Sequence, residues 1–348
     1  MTFDPTKVKL TATCKVPGIL YALCYDETNR KLYGAGSDWS VHAVDLRADK
    51  LAAEKKWTNH ENYVSAVVLL DNVVVSTGYD GRINWTNADT AKQVRSVAAH
   101  DAWVRSLAVF PDGKSFVSVG DDMLVKLWNA ETGELLNQFD GHAKQTPQGY
   151  TTALYAVAIT PDGRHIASGD RIGTVCIWEA DSGKLIHQLQ APTFYTYDPK
   201  TRVRSIGGIR SLCFSPDGTQ LAIAGIGKVT NVDGFVGPCR VELWDWQSPK
   251  HIRTYQDKHK AVLNDIHFHP TEPYLITAGG GDSGGILAFW DMKNEQPAHK
   301  AKPKGHIQKL LLDIPANQIC ACGHEGFRLW SMGDLPSTDP SLGSSKLD

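Results

Sequence analysis

From His100 to Asn129 the chain reads HDAWVRSLAVFPDGKSFVSVGDDMLVKLWN, three short apolar runs separated by two polar turns. The runs Val104 to Phe110, Phe116 to Val119 and Val125 to Trp128 are too short for helices and rich in β-branched and aromatic residues, and Pro111-Asp112-Gly113 supplies a tight turn between the first two. The pattern predicts a three-stranded meander. A fourth strand follows at Leu135 to Phe139. His100, Ser118, Asp122 and Trp128 are polar or polar-tipped groups at set places in this unit, and if they meet, carboxylate, imidazole, hydroxyl and indole N–H each gain a partner in one hydrogen-bonded chain.

Looser copies of the unit recur from end to end. Aligned to it, the end of the third strand falls at Val44, Trp85, Trp128, Trp178, Trp244, Trp290 and Trp330, which gives seven units of about 40 to 50 residues with one longer step between Trp178 and Trp244. Further signs are the Gly141-His142 and Gly305-His306 pairs, the turns Phe110-Pro111-Asp112-Gly113, Thr160-Pro161-Asp162-Gly163 and Ser215-Pro216-Asp217-Gly218, and the strand ends Leu127-Trp128-Asn129, Leu243-Trp244-Asp245 and Phe289-Trp290-Asp291. On these residues the chain resembles the WD40-repeat β-propellers from Val8 to Met332. The resemblance implies an all-β fold, a seven-bladed β-propeller of four-stranded antiparallel blades. The last unit ends at Trp330-Ser331 without a fourth strand of its own, and the resemblance implies that Lys7 to Val16 joins it and closes the ring. Residues 1–333 are then one propeller, and 334–348 a tail expected to be disordered.

The units are unequal. Only the third shows the full His, Ser, Asp, Trp set. The first has Val44 in the Trp slot, the second has Trp85 one position early, and the fourth has Ile172 where the turn Asp is expected. In the fifth, Ala224 stands in the Ser slot; in the sixth, Asp282 is displaced in a Gly-rich turn; in the seventh, Glu325 stands near the Asp position.

Composition changes this picture little. Thirty-six Lys and Arg against 38 Asp and Glu give a formal net charge of -2, which argues against nucleic acid as a general partner. Seven scattered cysteines read as buried reduced thiols, and neither a membrane span nor a signal peptide is evident, so a cytoplasmic location is expected.

Length departures are more telling. Compared with the third unit, extra residues fall at Ala143 to Ala153, Ala191 to Gly208, Ile226 to Cys239 and Gly279 to Gly285. In propellers of the resembled family the loops concerned share one face, so the insertions should crowd that face over blades four to six. They carry Tyr150, Phe194, Tyr195, Tyr197, Lys200, Arg202, Arg204 and Phe235, with Arg210 just beyond, an aromatic and basic mixture of the kind enriched at binding hot spots. Trp39, Tyr63, Tyr79, Trp103 and Asp121 belong on the same face.

Against catalysis, a Ser in mid-strand repeated across blades is structural rather than a nucleophile. Cys320, Cys322 and His324 alternate as half a zinc site might, and so do His267 and His269, but buried thiols and a turn residue explain them more simply. Gly279 to Gly285 lacks the Lys-Ser/Thr ending of a phosphate loop. The reading is a non-enzymatic scaffold with no cofactor or metal, binding a protein or peptide through Tyr150, Phe194, Tyr195, Tyr197, Arg202, Arg204, Phe235 and Trp103. The alternative is an enzyme at the channel mouth drawing on His42, Asp80, Asp121 and Asp170.

Overall fold

The computed structural model describes residues 3–200, 204–231, 236–313, 315 and 317–333, with the backbone alone at 204. Seven four-stranded antiparallel sheets stand round a channel. Their inner strands are Leu20–Asp26, Val64–Leu70, Val104–Val109, Leu154–Ile159, Ile209–Phe214, Val262–Phe268 and Ile307–Asp313. Six blades are consecutive meanders. The seventh takes Lys9–Cys14 as its outer strand, paired with Gly326–Ser331 from Lys9 opposite Ser331 to Cys14 opposite Phe327. First and last strands thus share one sheet, which closes the ring. The tail expected at 334–348 lies outside the described residues.

The Pro-Asp-Gly turns show why these stretches fold alike. Gly113, Gly163 and Gly218 sit at φ near +70° (69°, 73° and 73°), where a Cβ is strained, and Asp112, Asp162 and Asp217 each accept the amide two residues on at 3.0 Å. Large apolar side chains pack between neighbouring sheets. Trp178 of blade four, for example, lies with Val117, Val119 and Phe139 of blade three.

In blade three the polar chain forms as expected: His100 bonds Asp122 through Nδ1 at 2.8 Å and Ser118 through Nε2 at 2.7 Å, and the Trp128 indole donates to Ser118 at 2.8 Å. Burial pushes the Asp122 carboxyl up, but the hydrogen bond and charge of His100, aided by the Leu124 amide, outweigh it and hold it below the usual carboxylate range.

Blade four corrects the expectation that it lacks an acid. His142 bonds Asp170 at 2.9 Å and Ser168 at 2.8 Å, and Trp178 donates to Ser168 at 2.9 Å. Asp170 occupies the slot that is Gly120 in blade three, where a Cβ would lie 3.0 Å from His100 Nδ1. A carboxylate on that Cβ is within reach of the imidazole without help from the turn. Blades three and four are therefore both complete.

Elsewhere the pattern is rebuilt. Trp85, one position early, faces blade three and donates to Ala130 O at 2.8 Å, while His60 keeps Asp80 and Ser76 at 2.9 Å each. In blade five Trp244 donates to buried Glu242 at 3.2 Å, and Arg240 neutralises that carboxylate at 2.7 Å. In blade six Trp290 donates to Thr277 at 2.8 Å, and Asp257, buried on the outer strand of blade five, pairs with Lys300 of blade six at 2.9 Å.

Candidate functional site

In blades two, three, four and seven the turn between second and third strands is tied to the residue just before its own inner strand. The Tyr79 amide donates to Tyr63 O, Asp121 to Trp103 O, Arg171 to Ala153 O and His324 to His306 O, all at 2.9 to 3.0 Å. Both loop types therefore meet at one mouth of the channel.

All seven inner strands carry a register shift close to this mouth, one residue in for six blades and two in blade six, so one residue per blade is skipped by the ladder. A bulge re-aims the side chain it frees. The skipped residues are Tyr21, Ser65, Arg105, Tyr155, Arg210, Asn264 and Gln308, one from each blade in turn, and all of them line the channel cavity of 540 Å³. The ring holds two cations and no acid.

Aromatic side chains extend it outward. Tyr21, Tyr63, Tyr79 and Trp103 follow one another across blades one to three with ring centroids 5.9, 5.8 and 4.3 Å apart, the last pair stacked at 3°. Tyr63 and Trp103 are nevertheless 39% and 44% exposed, and Trp39 46%. Trp39 also holds φ at 66°, a conformation that falls to Gly81 and Gly173 in the corresponding turns of blades two and four. Arg105 lies 4.8 Å from the centroids of both Tyr79 and Trp103, and its fork grips Asp121 at 2.6 and 2.7 Å. Burial pulls its pKa down, yet the hydrogen bonds to Asp121 outweigh this and leave it above the ordinary guanidinium value.

Three insertions come to the same mouth. Within the insertion at Ala191 to Gly208, the strands Tyr195–Asp198 and Arg204–Gly207 pair antiparallel as the two arms of a hairpin. The Tyr195 hydroxyl donates to Gln148 at 2.5 Å, the Tyr197 ring lies 6.3 Å from Tyr150, and the Val229 amide donates to Thr196 at 3.0 Å. Gly279 to Gly285 extends the blade-six hairpin, with Gly281 opposite Gly284.

Among the expected site residues, the structure brings Tyr150, Tyr195 and Tyr197 together, half-buried or at the edge of exposure, and sets Trp103 on the aromatic row. Phe194 is a correction. It is fully buried in the core shared by blades four and five, with its ring against Gly225, so it supports the hairpin from below rather than meeting solvent. Arg202, Phe235 and the side chain of Arg204 lie outside the described residues. Arg105, Tyr155 and Arg171 were not singled out from the sequence. The available signal was the second residue of six inner strands, and the third, Asn264, in blade six, where a polar or polar-tipped residue interrupts the apolar run.

The candidate acids and imidazoles do not converge. His42 bonds Asp38, Asp80 bonds His60, Asp121 bonds Arg105 and Asp170 bonds His142, each pair within its own blade. His269 accepts the Thr271 and Glu272 amides as a turn residue, while His267 bonds Asp265. Burial pushes the Cys320 thiol up to about 12. Among the described residues no three His, Cys, Asp or Glu side chains come together as a metal would need.

The family model described as WD domain, G-beta repeat matches residues 91–129, 133–179 and 249–291, ending one residue past Trp128, Trp178 and Trp290. The chain carries WD40 repeats. Curated relatives of this WD40 propeller include the nuclear distribution protein PAC1 of Coccidioides posadasii (strain C735), 27% identical over 244 residues, which are 65% of this chain and 48% of that protein. DDB1- and CUL4-associated factor 13 of Dictyostelium discoideum is 25% identical over 255 residues, 73% of this chain and 38% of its own. Striatin of Homo sapiens is 32% identical over 73 residues, 21% of this chain and 9% of its own. The chain spans less than half the length of each of these relatives.

Proposed function

We propose that this WD40 propeller is a non-enzymatic protein-interaction scaffold that binds a peptide or an extended segment of a partner protein across the mouth where its insertions gather. The WD40 repeats and the WD-repeat relatives support the interaction class. The observation that carries the site is the row Tyr63, Tyr79, Trp103, in ring contact yet left partly open to solvent at the edge of a cavity ringed by bulge residues. Aromatic anchors of this kind give large contact area at low entropic cost, and hot spots concentrate in them. The binding surface then runs from blade one across blade four to the Tyr195–Gly207 hairpin, wider than the expected patch over blades four to six.

Affinity capture with tagged protein tests this. A Tyr63→Ala, Trp103→Ala variant is expected to lose partners that the wild type retains, whereas Ile252→Ser, an exposed change on the outer strand of blade five, is expected to keep them. Identical partner lists for all three proteins would refute the site.

A further inference from the structure

Of the three cations that line the channel, two have a carboxylate of their own: Arg105 holds Asp121 at 2.6 Å, and Lys309 holds Asp265 at 2.7 Å. Arg210 has none among the described residues. Its Nη2 reaches only Gly207 O at 3.3 Å, its Nε is sealed from solvent without an acceptor, and its Nη1 donates to no described residue. The Tyr155 ring covers one side at 4.3 Å, but Arg105 shares that ring at 5.2 Å, so two guanidinium groups face one π cloud. Arg171 stands near as a third cation, donating only to Thr151 O at 3.4 Å and to Ser205 at 2.8 and 3.3 Å. Arg171, Arg210 and Tyr155 line a second recess of 420 Å³ between the hairpin and the channel.

Burying a guanidinium beside like charges with its donors unmet is costly, and an isolated fold gains nothing from it. Burial pulls the Arg210 pKa down and the nearby charges of Arg105 and Arg171 pull it further, with Tyr155 opposing. An incoming anion would reverse that cost. We infer that Arg210, with Arg171 beside it, is an oxyanion site that receives an acidic group of a bound peptide, either a carboxylate or a phosphorylated side chain. Both sources share the chemistry a guanidinium recognises, a compact oxygen anion offering several acceptors. The inference deepens the scaffold reading by naming the charge of the ligand, and it rests on that reading for the peptide.

Arg210→Met keeps the length and the apolar stem while removing the charge. Thermal unfolding is compared in sodium glutarate, sodium phosphate and sodium chloride at matched ionic strength. The wild type is expected to unfold several degrees higher in glutarate or phosphate than in chloride. Arg210→Met is expected to unfold no lower than wild type in chloride and to lose the anion-specific rise, and Arg171→Met to keep only part of it. A wild type indifferent to the anion, or a rise that survives in Arg210→Met, would overturn the site.

An array of capped dodecapeptides with Glu, Gln, phosphoserine or Ser at the centre separates the sources. Glu peptides bound at least ten-fold better than their Gln counterparts, and released by Arg210→Met, assign a carboxylate; the same contrast confined to phosphoserine assigns a phosphate. Equal binding of Glu and Gln and of phosphoserine and Ser overturns the anion site and leaves the scaffold reading standing. An anion-dependent rise with no peptide bound leaves the site standing and overturns the peptide.

Discussion

Asp170→Ala should be among the most damaging single changes in the ring, and its cost can be worked from its bonds. The Asp170 side chain is fully buried and accepts from His142 Nδ1 at 2.9 Å, from the Ile172 amide at 2.9 Å and from the Thr174 amide at 2.8 Å. Truncation strands all three donors. A buried imidazole N–H left unmet costs about 2 kcal/mol and each amide about 1 kcal/mol, so roughly 4 kcal/mol is expected. Asp122→Ala should cost less, about 1 to 3 kcal/mol, because Asp122 is more open (side chain 9% exposed), accepts hydrogen bonds from His100 and the Leu124 amide, and has only a loose ion pair to Lys126 at 3.8 Å besides. Urea unfolding followed by tryptophan fluorescence reads both. The double change Asp170→Gly, Ile172→Asp transplants the Gly120 and Asp122 arrangement into blade four and should recover most of the loss. An Asp170→Ala midpoint equal to that of wild type, or no recovery in the double variant, would refute the account of how the blade holds its histidine.

Other outcomes follow from the same structure. Deleting residues 1–16 leaves Gly326–Ser331 as an unpaired edge and is expected to lower the melting temperature sharply; unchanged melting would contradict closure by Lys9–Cys14. Asp80, Asp122 and Asp265 are held below the usual carboxylate range, and burial holds His259, His269 and His324 below the usual imidazole range. In each case the unfolded chain binds the proton more readily, so stability is complete above about pH 6.5, declines as pH falls past it and declines more steeply below about pH 4. A protein that grows more stable on acidification would contradict these assignments. Burial pushes Cys213 up to about 11 and Cys176 and Cys239 up to about 12, so a thiol-specific disulfide reagent at pH 7.5 is expected to react slowly with the folded protein and with all seven cysteines only after unfolding.

Much of this architecture is legible in the amino-acid order because blades three, four and five repeat turn chemistry with a single solution. Pro-Asp-Gly needs a left-handed glycine and an amide-capping aspartate, and a tryptophan forty to fifty residues later marks the next sheet. Reading by slot fails where a different slot reaches the same point in space. Asp170 lies two residues before the position where the repeat places its acid, yet its carboxylate meets His142 because a Cβ in the Gly120 slot already aims at the imidazole. Phe194 departs from the expectation for a related reason. An aromatic in a long insertion reads as exposed, but it packs beside Gly225 under the hairpin, where the strand leaves room for its ring. The channel ring was harder to see. Tyr21, Arg105, Tyr155 and Arg210 stand next to buried residues in ordinary apolar runs, and only the bulge that each strand forms turns them into the channel.

The claim that this propeller works through one mouth is tested most directly by site-specific photo-crosslinking in cells that produce it. With p-benzoylphenylalanine placed at Trp103 or Tyr195, discrete protein adducts are expected on irradiation. With the same group at Leu136 or Ile252, exposed on outer strands, none is expected. Adducts from the outer strands alone, or from all four positions equally, would contradict the claim.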